Sequence, residues 1–462
     1  MDVDVAILGG GAAGLSAARE ATRRGAKALI VNDGPLGGDC TFTGCVPSKS
    51  VIEAAHSGLS FSEAFERART VVEHIASTES AERLAEEGVT VISDVGELVV
   101  NGGSAGIKVG ERTISAKGVL LSLGSKPFVP PIPGLDTIDY LTTENLWELR
   151  TAPAKIAVIG GGAIGCELSQ AFAGLGVEVT LIEMAPRVLI KEELAAADIA
   201  TNALKLSGVD VLTGVGVVGA ARGPRGPELT LDDGRKVAVD SVLVAVGRKS
   251  NSDRGGLAEA GVELDKRGFV VNGADLATSI KGVYVAGDLS GKLQFTHAAD
   301  HMGRIAATNM LSKVARVRPA TFKSEQIPWV TFTRPEIARI GLSETEAAAQ
   351  VSGAMVAELP LAEHDRAITA QATEGYIKII AGPRPAIGMA GGGKIVGATI
   401  VADRAGEMIS EIALAVRLGA FTGRLAQTVH PYPTWSYGLP KAVAQFFTTI
   451  EGREARPARE ER

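Results

Sequence analysis

One pattern occurs twice in this chain and constrains its fold more than any other feature. Val3 to Leu8 is a short apolar run that ends in Gly9-Gly10-Gly11-Ala12-Ala13-Gly14. Residues 15–24 then read as a helix rich in alanine and arginine, and a second apolar run, Ala28 to Val31, follows. Ile156 to Ile159 leads in the same way into Gly160-Gly161-Gly162-Ala163-Ile164-Gly165, a helical stretch and the run Val177 to Ile182. Strand, glycine turn, helix and strand make a βαβ unit, whose helix N-terminus aims backbone N–H groups at a pyrophosphate. Gly9, Gly11 and Gly14, and Gly160, Gly162 and Gly165, are therefore candidate cofactor-binding residues. A single match is weak, but two in register predict an α/β protein with two doubly wound, Rossmann-like domains holding two different dinucleotides.

Counting 18 residues past the last glycine of each unit lands on Asn32 and Glu183, the positions expected to face ribose hydroxyls. Glu183 accepts hydrogen bonds from a free 2′-hydroxyl and repels a 2′-phosphate, so the second unit is expected to take NADH in preference to NADPH. Arg187 is the nearby cation that could offset this preference. In the first unit the Asn32 amide can bond a hydroxyl, with Asp33 sharing the task.

At 462 residues the chain exceeds one hydrophobic core and implies two to four domains. Its 47 basic and 53 acidic residues leave a formal charge of −6, which gives no electrostatic case for nucleic acid or an anionic membrane. No apolar run approaches the roughly 18 residues of a membrane span, and the acidic N-terminus runs directly into a strand pattern with no room for a signal peptide. Three cysteines cannot form a secreted disulfide framework, so a reducing, cytoplasmic setting and small-molecule partners are expected.

Two of those cysteines stand close together in Gly37-Gly38-Asp39-Cys40-Thr41-Phe42-Thr43-Gly44-Cys45-Val46-Pro47-Ser48-Lys49. The helical pattern that follows places them near a helix N-terminus, where the dipole favours a thiolate, with Lys49 on the same face as Cys45. Zinc wants four ligands, and Cys166, read as a small buried residue, is the only other cysteine. No metal site is expected. Redox catalysis is the leading reading, with a structural disulfide as its alternative.

The run Gly-Gly-x-Cys-x4-Cys-Val-Pro-Ser-Lys after a dinucleotide turn resembles the class I pyridine nucleotide-disulfide oxidoreductases. That family includes lipoamide dehydrogenase, glutathione reductase and mercuric reductase. Leu123-Gly124-Ser125-Lys126-Pro127, Val246-Gly247-Arg248 and Gly282-Val283-Tyr284-Val285-Ala286-Gly287-Asp288 fall where the family has its domain junctions. The resemblance implies FAD in the first unit and a nicotinamide in the second. It further implies that Cys45 forms a thiolate against the flavin, that Cys40 exchanges with substrate, that Lys49 pairs with Glu167, and that Asp288 bonds the ribityl chain. Gly38, Gly124 and Gly247 join the expected cofactor-binding set, as do His297 and Ala298, which lie in a Gln294-Phe295-Thr296-His297-Ala298 run similar to mercuric reductase. The template assigns residues 1–150 and 276–325 to an FAD domain and 151–275 to a nicotinamide domain. It assigns 326–450 to a C-terminal α+β dimerisation domain of a homodimer, and the charged residues 451–462 read as a frayed tail.

One segment departs from the family. Disulfide-reducing members carry a catalytic His before a Pro-Thr pair and, four residues after that proline, a Glu; here His430-Pro431-Tyr432-Pro433-Thr434-Trp435-Ser436-Tyr437 puts Tyr432 and Tyr437 at those positions. A phenol with an ordinary pKa near 10 is a poor base at neutral pH, so His430, two residues earlier, is the alternative proton carrier. No cysteine follows Cys166, so soft-metal delivery through a C-terminal thiol pair is not expected. The leading expectation is electron transfer from NADH through FAD and Cys40/Cys45 to a disulfide, quinone or metal ion. The alternatives are dihydrolipoamide dehydrogenase of a multienzyme complex, a mercuric, metal-ion or quinone reductase, and a partner-binding flavoprotein with vestigial catalysis.

Overall fold

In the computed structural model, which describes residues 2–224 and 226–460, residues 1–153 and 241–323 form one compact unit and residues 154–240 and 324–462 a second. The first is built on the predicted βαβ. Strand Val3–Leu8 pairs in parallel with Ala28–Val31 on one side and Arg112–Leu121 on the other, and Val89–Ile92 and Val283–Val285 extend the parallel sheet. The antiparallel strands Gly96–Asn101 and Ser104–Val109 continue from Arg112–Leu121. Both faces are covered, which is why residues 5–8 of the Val3–Leu8 strand are all apolar and buried. One cover is the helix pair Ala12–Arg23 and Thr296–Leu311. A Cβ on Gly303 would stand 2.2 Å from the Ala13 carbonyl oxygen, so the missing side chain sets this close crossing.

The sequence template placed residues 241–275 in the nicotinamide domain, and within that stretch residues 255–270 pack with the first unit. Leu257, Val262 and Val270 are buried in the same core as Ala6, Leu8 and Val283, and the Leu98 N–H donates to the Gly255 carbonyl. Burial of these apolar side chains seats residues 257–270 in the core of the first unit.

The second unit repeats the βαβ with Lys155–Ile159, helix Ala163–Gly174 and Glu178–Glu183, adding Asp210–Thr213 in parallel. An antiparallel meander, Val217–Gly223, Gly226–Leu231 and Lys236–Ala238, follows. The unit also contains a six-stranded antiparallel sheet ordered Trp329–Thr331, Glu336–Gly341, Lys394–Ala402, Tyr376–Gly382, Met355–Pro360 and Arg456–Pro457. Helix Ala405–Leu418 packs on it through Met408, Ile409 and Ile412.

The expectation of a frayed tail over 451–462 is corrected at 456–458. Arg456–Pro457 adds an edge strand, the Ala458 N–H donates to the Ala354 carbonyl, and Arg456 forms an ion pair with the buried Glu344, beside Lys378. Charge composition argued for solvent, but a nearly buried carboxylate needs a cation, and the tail supplies one. Residues 461 and 462 lie outside the described residues. Among the described residues no helix is long and apolar enough to cross a membrane.

Glu336 gives this unit a pH response. Its carboxylate accepts from the Gly406 N–H at 2.8 Å, in the first turn of helix Ala405–Leu418, and burial pushes its pKa up from 4.5 to about 7. The folded state therefore holds the proton more tightly than the unfolded chain. The resulting stability is fully present below about pH 4.5 and is lost as pH rises through about 7. Glu336→Gln, whose amide oxygen can still accept from Gly406, is expected to flatten the fall in thermal midpoint between about pH 5 and 8. An unchanged slope would remove Glu336 as its source.

Candidate functional site

The two glycine turns share one geometry. Gly9 and Gly160 turn the chain at φ of +110° and +111°. A Cβ on Gly14 would lie 2.0 Å from the Gly9 carbonyl oxygen, and one on Gly165 would lie 1.9 Å from that of Gly160. Only glycine lets each helix pack so closely on its strand. At the middle positions, Gly11 and Gly162, a Cβ would meet nothing within 4 Å, which leaves open backbone where a phosphate can approach. Both of these glycines are N-caps without a side-chain capping bond, so the first helical N–H groups are not occupied by a capping side chain. The turns fit two dinucleotides.

The residues closing each turn are used alike. Asn32 Oδ1 accepts from the Gly10 N–H at 2.8 Å, while its Nδ2 donates to the Gly34 carbonyl. Glu183 Oε2 accepts from the Gly161 N–H at 2.6 Å and Oε1 from the Ala185 N–H at 2.7 Å. Arg187 donates to the carbonyls of Leu189, Ile190 and Glu192, so its guanidinium is engaged by backbone. In the first unit Asn32, Asp33, Glu97 and Arg254 line a cavity of about 700 Å³ next to Gly9, and Asp33 pairs there with Arg254. This is room for the nucleoside end of a cofactor.

The cysteine segment is stitched to the first glycine turn. The Gly37 N–H donates to the Gly10 carbonyl at 2.9 Å, and a Cβ on Gly38 would stand 3.1 Å from Gly11 Cα. Cys40 lies in the short helix Gly38–Phe42, and Cys45 opens helix Cys45–His56, which carries Lys49 one turn on. The two thiols are hydrogen-bonded to one another. That bond, followed by burial, holds the Cys40 thiol far above its ordinary pKa. Cys45 stands at the first position of helix Cys45–His56, where the helix N-terminus favours a thiolate. Thr296 Oγ1, at the start of helix Thr296–Leu311, lies 3.3 Å from Cys45 Sγ. The Trp147 indole N–H donates to the Thr43 carbonyl at 2.9 Å and ties down the loop between the cysteines.

Asp288 sits in the turn after strand Val283–Val285, where it accepts from Ser125 Oγ at 2.5 Å; burial raises its carboxyl pKa. Gly124 and Gly247 precede the two short strands Ser125–Pro127 and Arg248–Ser250, which pair antiparallel beside it. In the adjoining helix Ala298 is buried, and the exposed His297 stacks on Phe295 at 5.6 Å. Cys166 in the second unit is fully buried, with its thiol donating to the Gly161 carbonyl, and burial raises its pKa.

The remaining candidates belong to the second unit. Glu167 is nearly buried on helix Ala163–Gly174 and accepts from the Phe332 N–H at 2.8 Å. His430 is engaged at both nitrogens, Nδ1 with the Thr428 carbonyl at 2.9 Å and Nε2 with the Glu411 carboxylate at 2.9 Å. Tyr432 is exposed, donates its hydroxyl to Asp365 at 3.0 Å, and meets the Tyr437 ring edge-on at 5.2 Å. The Asp365 carboxylate raises the phenol pKa further, so Tyr432 is built as a hydrogen-bond donor rather than a base.

Sequence reasoning missed Thr296, Trp147 and Asp365. Each comes from an element far away in sequence, and none belongs to a spacing motif. Only the threonine carried a signal, its place in the 294–298 run.

These features define a flavin- and nicotinamide-dependent oxidoreductase with a thiol pair, and comparison with known proteins agrees. Residues 3–303 match the pyridine nucleotide-disulphide oxidoreductase family and residues 327–443 its dimerisation domain. The chain is 33% identical to a mercuric reductase of Staphylococcus aureus, over 96% of this chain and 82% of that protein. It is 32% identical to a dihydrolipoyl dehydrogenase of Thermus scotoductus, over 95% and 96% of the two chains. Among solved structures, LpdA from Mycobacterium tuberculosis aligns at a TM-score of 0.88 with 27% identity, over 96% of this chain and all of that one. The HOCl-induced flavoprotein disulfide reductase RclA of Escherichia coli aligns at 0.84 with 25% identity, over 96% and 99% of the two chains. The chain belongs to the pyridine nucleotide-disulphide oxidoreductase family and is an FAD-dependent enzyme that uses NAD(P)H.

Proposed function

We propose that this enzyme takes NADH in preference to NADPH and passes its electrons through Cys40 and Cys45 to a small acceptor, working as a homodimer. The observation that carries this reading is the hydrogen-bonded thiol pair seated directly on the first dinucleotide turn. When bound, the flavin supplies the two-electron relay between nicotinamide and thiols. Gly9, Gly11, Gly14, Gly38, Gly124, Asn32, Asp33, Asp288, His297 and Ala298 are the residues proposed to hold it. Gly160, Gly162, Gly165, Glu183 and Gly247 are those proposed for the nicotinamide cofactor. Cys40 is proposed to exchange with the acceptor and Cys45 to hold the thiolate, with Lys49, Glu167 and Tyr432 as supporting groups. His430, whose ring nitrogens both face acceptors, is better suited to anchoring the segment than to carrying protons. The dimerisation domain at 327–443 supports the homodimer. The test of the route is NADH-dependent turnover on lipoamide, a synthetic aromatic disulfide, menadione and Hg(II). Loss of all turnover in Cys40→Ser supports it, and undiminished turnover on every acceptor places the cysteines off the path.

Cofactor preference rests on Glu183, whose carboxylate closes the second turn, and on Arg187, whose guanidinium is occupied by three carbonyls. Glu183→Gln keeps an acceptor for the Gly161 N–H and removes the charge. It is expected to raise the NADPH-to-NADH ratio of kcat/KM by roughly tenfold, the equivalent of about 1.4 kcal/mol of like-charge repulsion relieved. A wild-type enzyme that already prefers NADPH would contradict the assignment.

A further inference from the structure

The redox motif leaves the residue before its first cysteine open, and in this chain that residue is Asp39. Its carboxylate forms an ion pair with Arg248, whose guanidinium side chain is only 18% exposed and makes three other contacts. Arg248 Nε donates to Ser125 Oγ at 2.6 Å and lies 3.4 Å from Asp288 Oδ2, and its NH2 group also donates to the Ser125 carbonyl at 2.8 Å. Ser125 Oγ in turn donates to Asp288. One cation thus serves two carboxylates, one beside the thiol pair and one in the turn after strand Val283–Val285. The backbone of Asp39 also frames the cysteine loop. Its carbonyl accepts from the Thr43 N–H at 2.9 Å, and a Cβ on Gly44 would come within 2.9 Å of that oxygen.

We propose that Arg248 is a positioning residue for the thiol pair: through Asp39 it fixes the Cys40–Cys45 loop against the Ser125 and Asp288 strand ends and neutralises the carboxylate next to Cys40. This rests on the reading of Cys40 and Cys45 as the redox pair and adds the device that sets their reactivity. An unneutralised carboxylate beside a thiol disfavours its ionisation, whereas an unpaired guanidinium favours it. The other ionisable groups around the pair are Lys49 and Glu53 on helix Cys45–His56, Glu79, which accepts from Thr41 Oγ1, His297 beside Thr296, and Asp288. Removing Arg248 takes its charge away from both Asp39 and Asp288, whereas Asp39→Asn removes the Asp39 charge alone.

The test is the pH dependence of iodoacetamide labelling of Cys40 and Cys45 in the flavin-loaded enzyme, reduced beforehand with dithiothreitol and read by peptide mass spectrometry. Arg248→Gln is expected to move the labelling midpoint up by about half a unit to one unit, a roughly three- to tenfold slower rate near neutral pH. Asp39→Asn is expected to move it down, and the double variant to return towards wild type, a crossing that simple loss of packing does not produce. If Arg248→Gln does not retain flavin, Asp39→Asn decides alone, since its side chain is 47% exposed and the substitution leaves the other Arg248 contacts in place. Unshifted profiles, shifts of the same sign in both single variants, or a double variant as shifted as Arg248→Gln would overturn the proposal. Because labelling starts from chemically reduced protein, these outcomes stand apart from whether NADH reduces the pair.

Discussion

Replacing Cys45 by serine is expected to lower NADH-dependent reduction of a disulfide acceptor by about 10³-fold or more while the purified protein keeps its flavin. Cys45 opens helix Cys45–His56. The helix N-terminus favours a thiolate at this sulfur, and the Cys40 thiol bonded to it is held far above its ordinary pKa. A serine hydroxyl neither ionises near neutral pH nor forms a covalent bond to Cys40, so the pair can no longer store two electrons as two thiols. Cys45 lies on the surface of its helix start, and its substitution removes no core packing. Steady-state assays with an aromatic disulfide, alongside the flavin-to-protein absorbance ratio, check both halves of the expectation. Turnover within tenfold of wild type would contradict it.

The second large effect concerns the glycines. Gly14→Val places a Cβ where the Gly9 carbonyl oxygen stands 2.0 Å away, and backbone on both sides prevents relief by a rotamer change. Overpacking of this severity costs about 3 kcal/mol or more. The first unit is expected to fold without retaining flavin, giving colourless protein. Gly165→Val makes the same clash, at 1.9 Å, in the second unit. That variant is expected to stay yellow and lose NADH-driven activity. Absorbance at the flavin band separates the two, and a yellow, NADH-active Gly165→Val protein would show that the second turn does not hold the nicotinamide cofactor.

Why were these turns legible in sequence, when the surroundings of the cysteines were not? A glycine turn is local. Its strand, its three glycines and the closing Asn32 or Glu183 lie within one short stretch of chain, and the structure reproduces Val3–Leu8 and Ala28–Val31 at the residues expected. The cysteine pair was legible for the same reason. Its reactivity, however, is set by Thr296, Trp147 and Arg248, which come from three distant segments, and no periodicity or spacing announces which of many arginines will be buried against Asp39.

The packing of residues 255–270 and of the tail was hidden from sequence by two further physical causes. Residues 251–275 have no helix or strand, so their place is decided by where Leu257, Val262 and Val270 find a core rather than by local pattern. The tail is polar by composition, yet Arg456 has a buried carboxylate to neutralise in Glu344, a long-range pairing that composition hides. Tyr432 and His430 mark the departure from the family pattern that the sequence displays. What sequence could not supply was the partner of each, Asp365 and Glu411, and with it the donor character of the phenol.

The most direct test of the account is an anaerobic titration of the yellow enzyme with NADH, followed by alkylation and peptide mass spectrometry. The account predicts that Cys40 and Cys45 are protected before NADH is added and become labelled together, two thiols per chain, as the first two electrons enter, with a long-wavelength absorption band that Cys45→Ser lacks. If the flavin bleaches while both cysteines keep their initial labelling, electrons bypass the pair and the central claim is wrong.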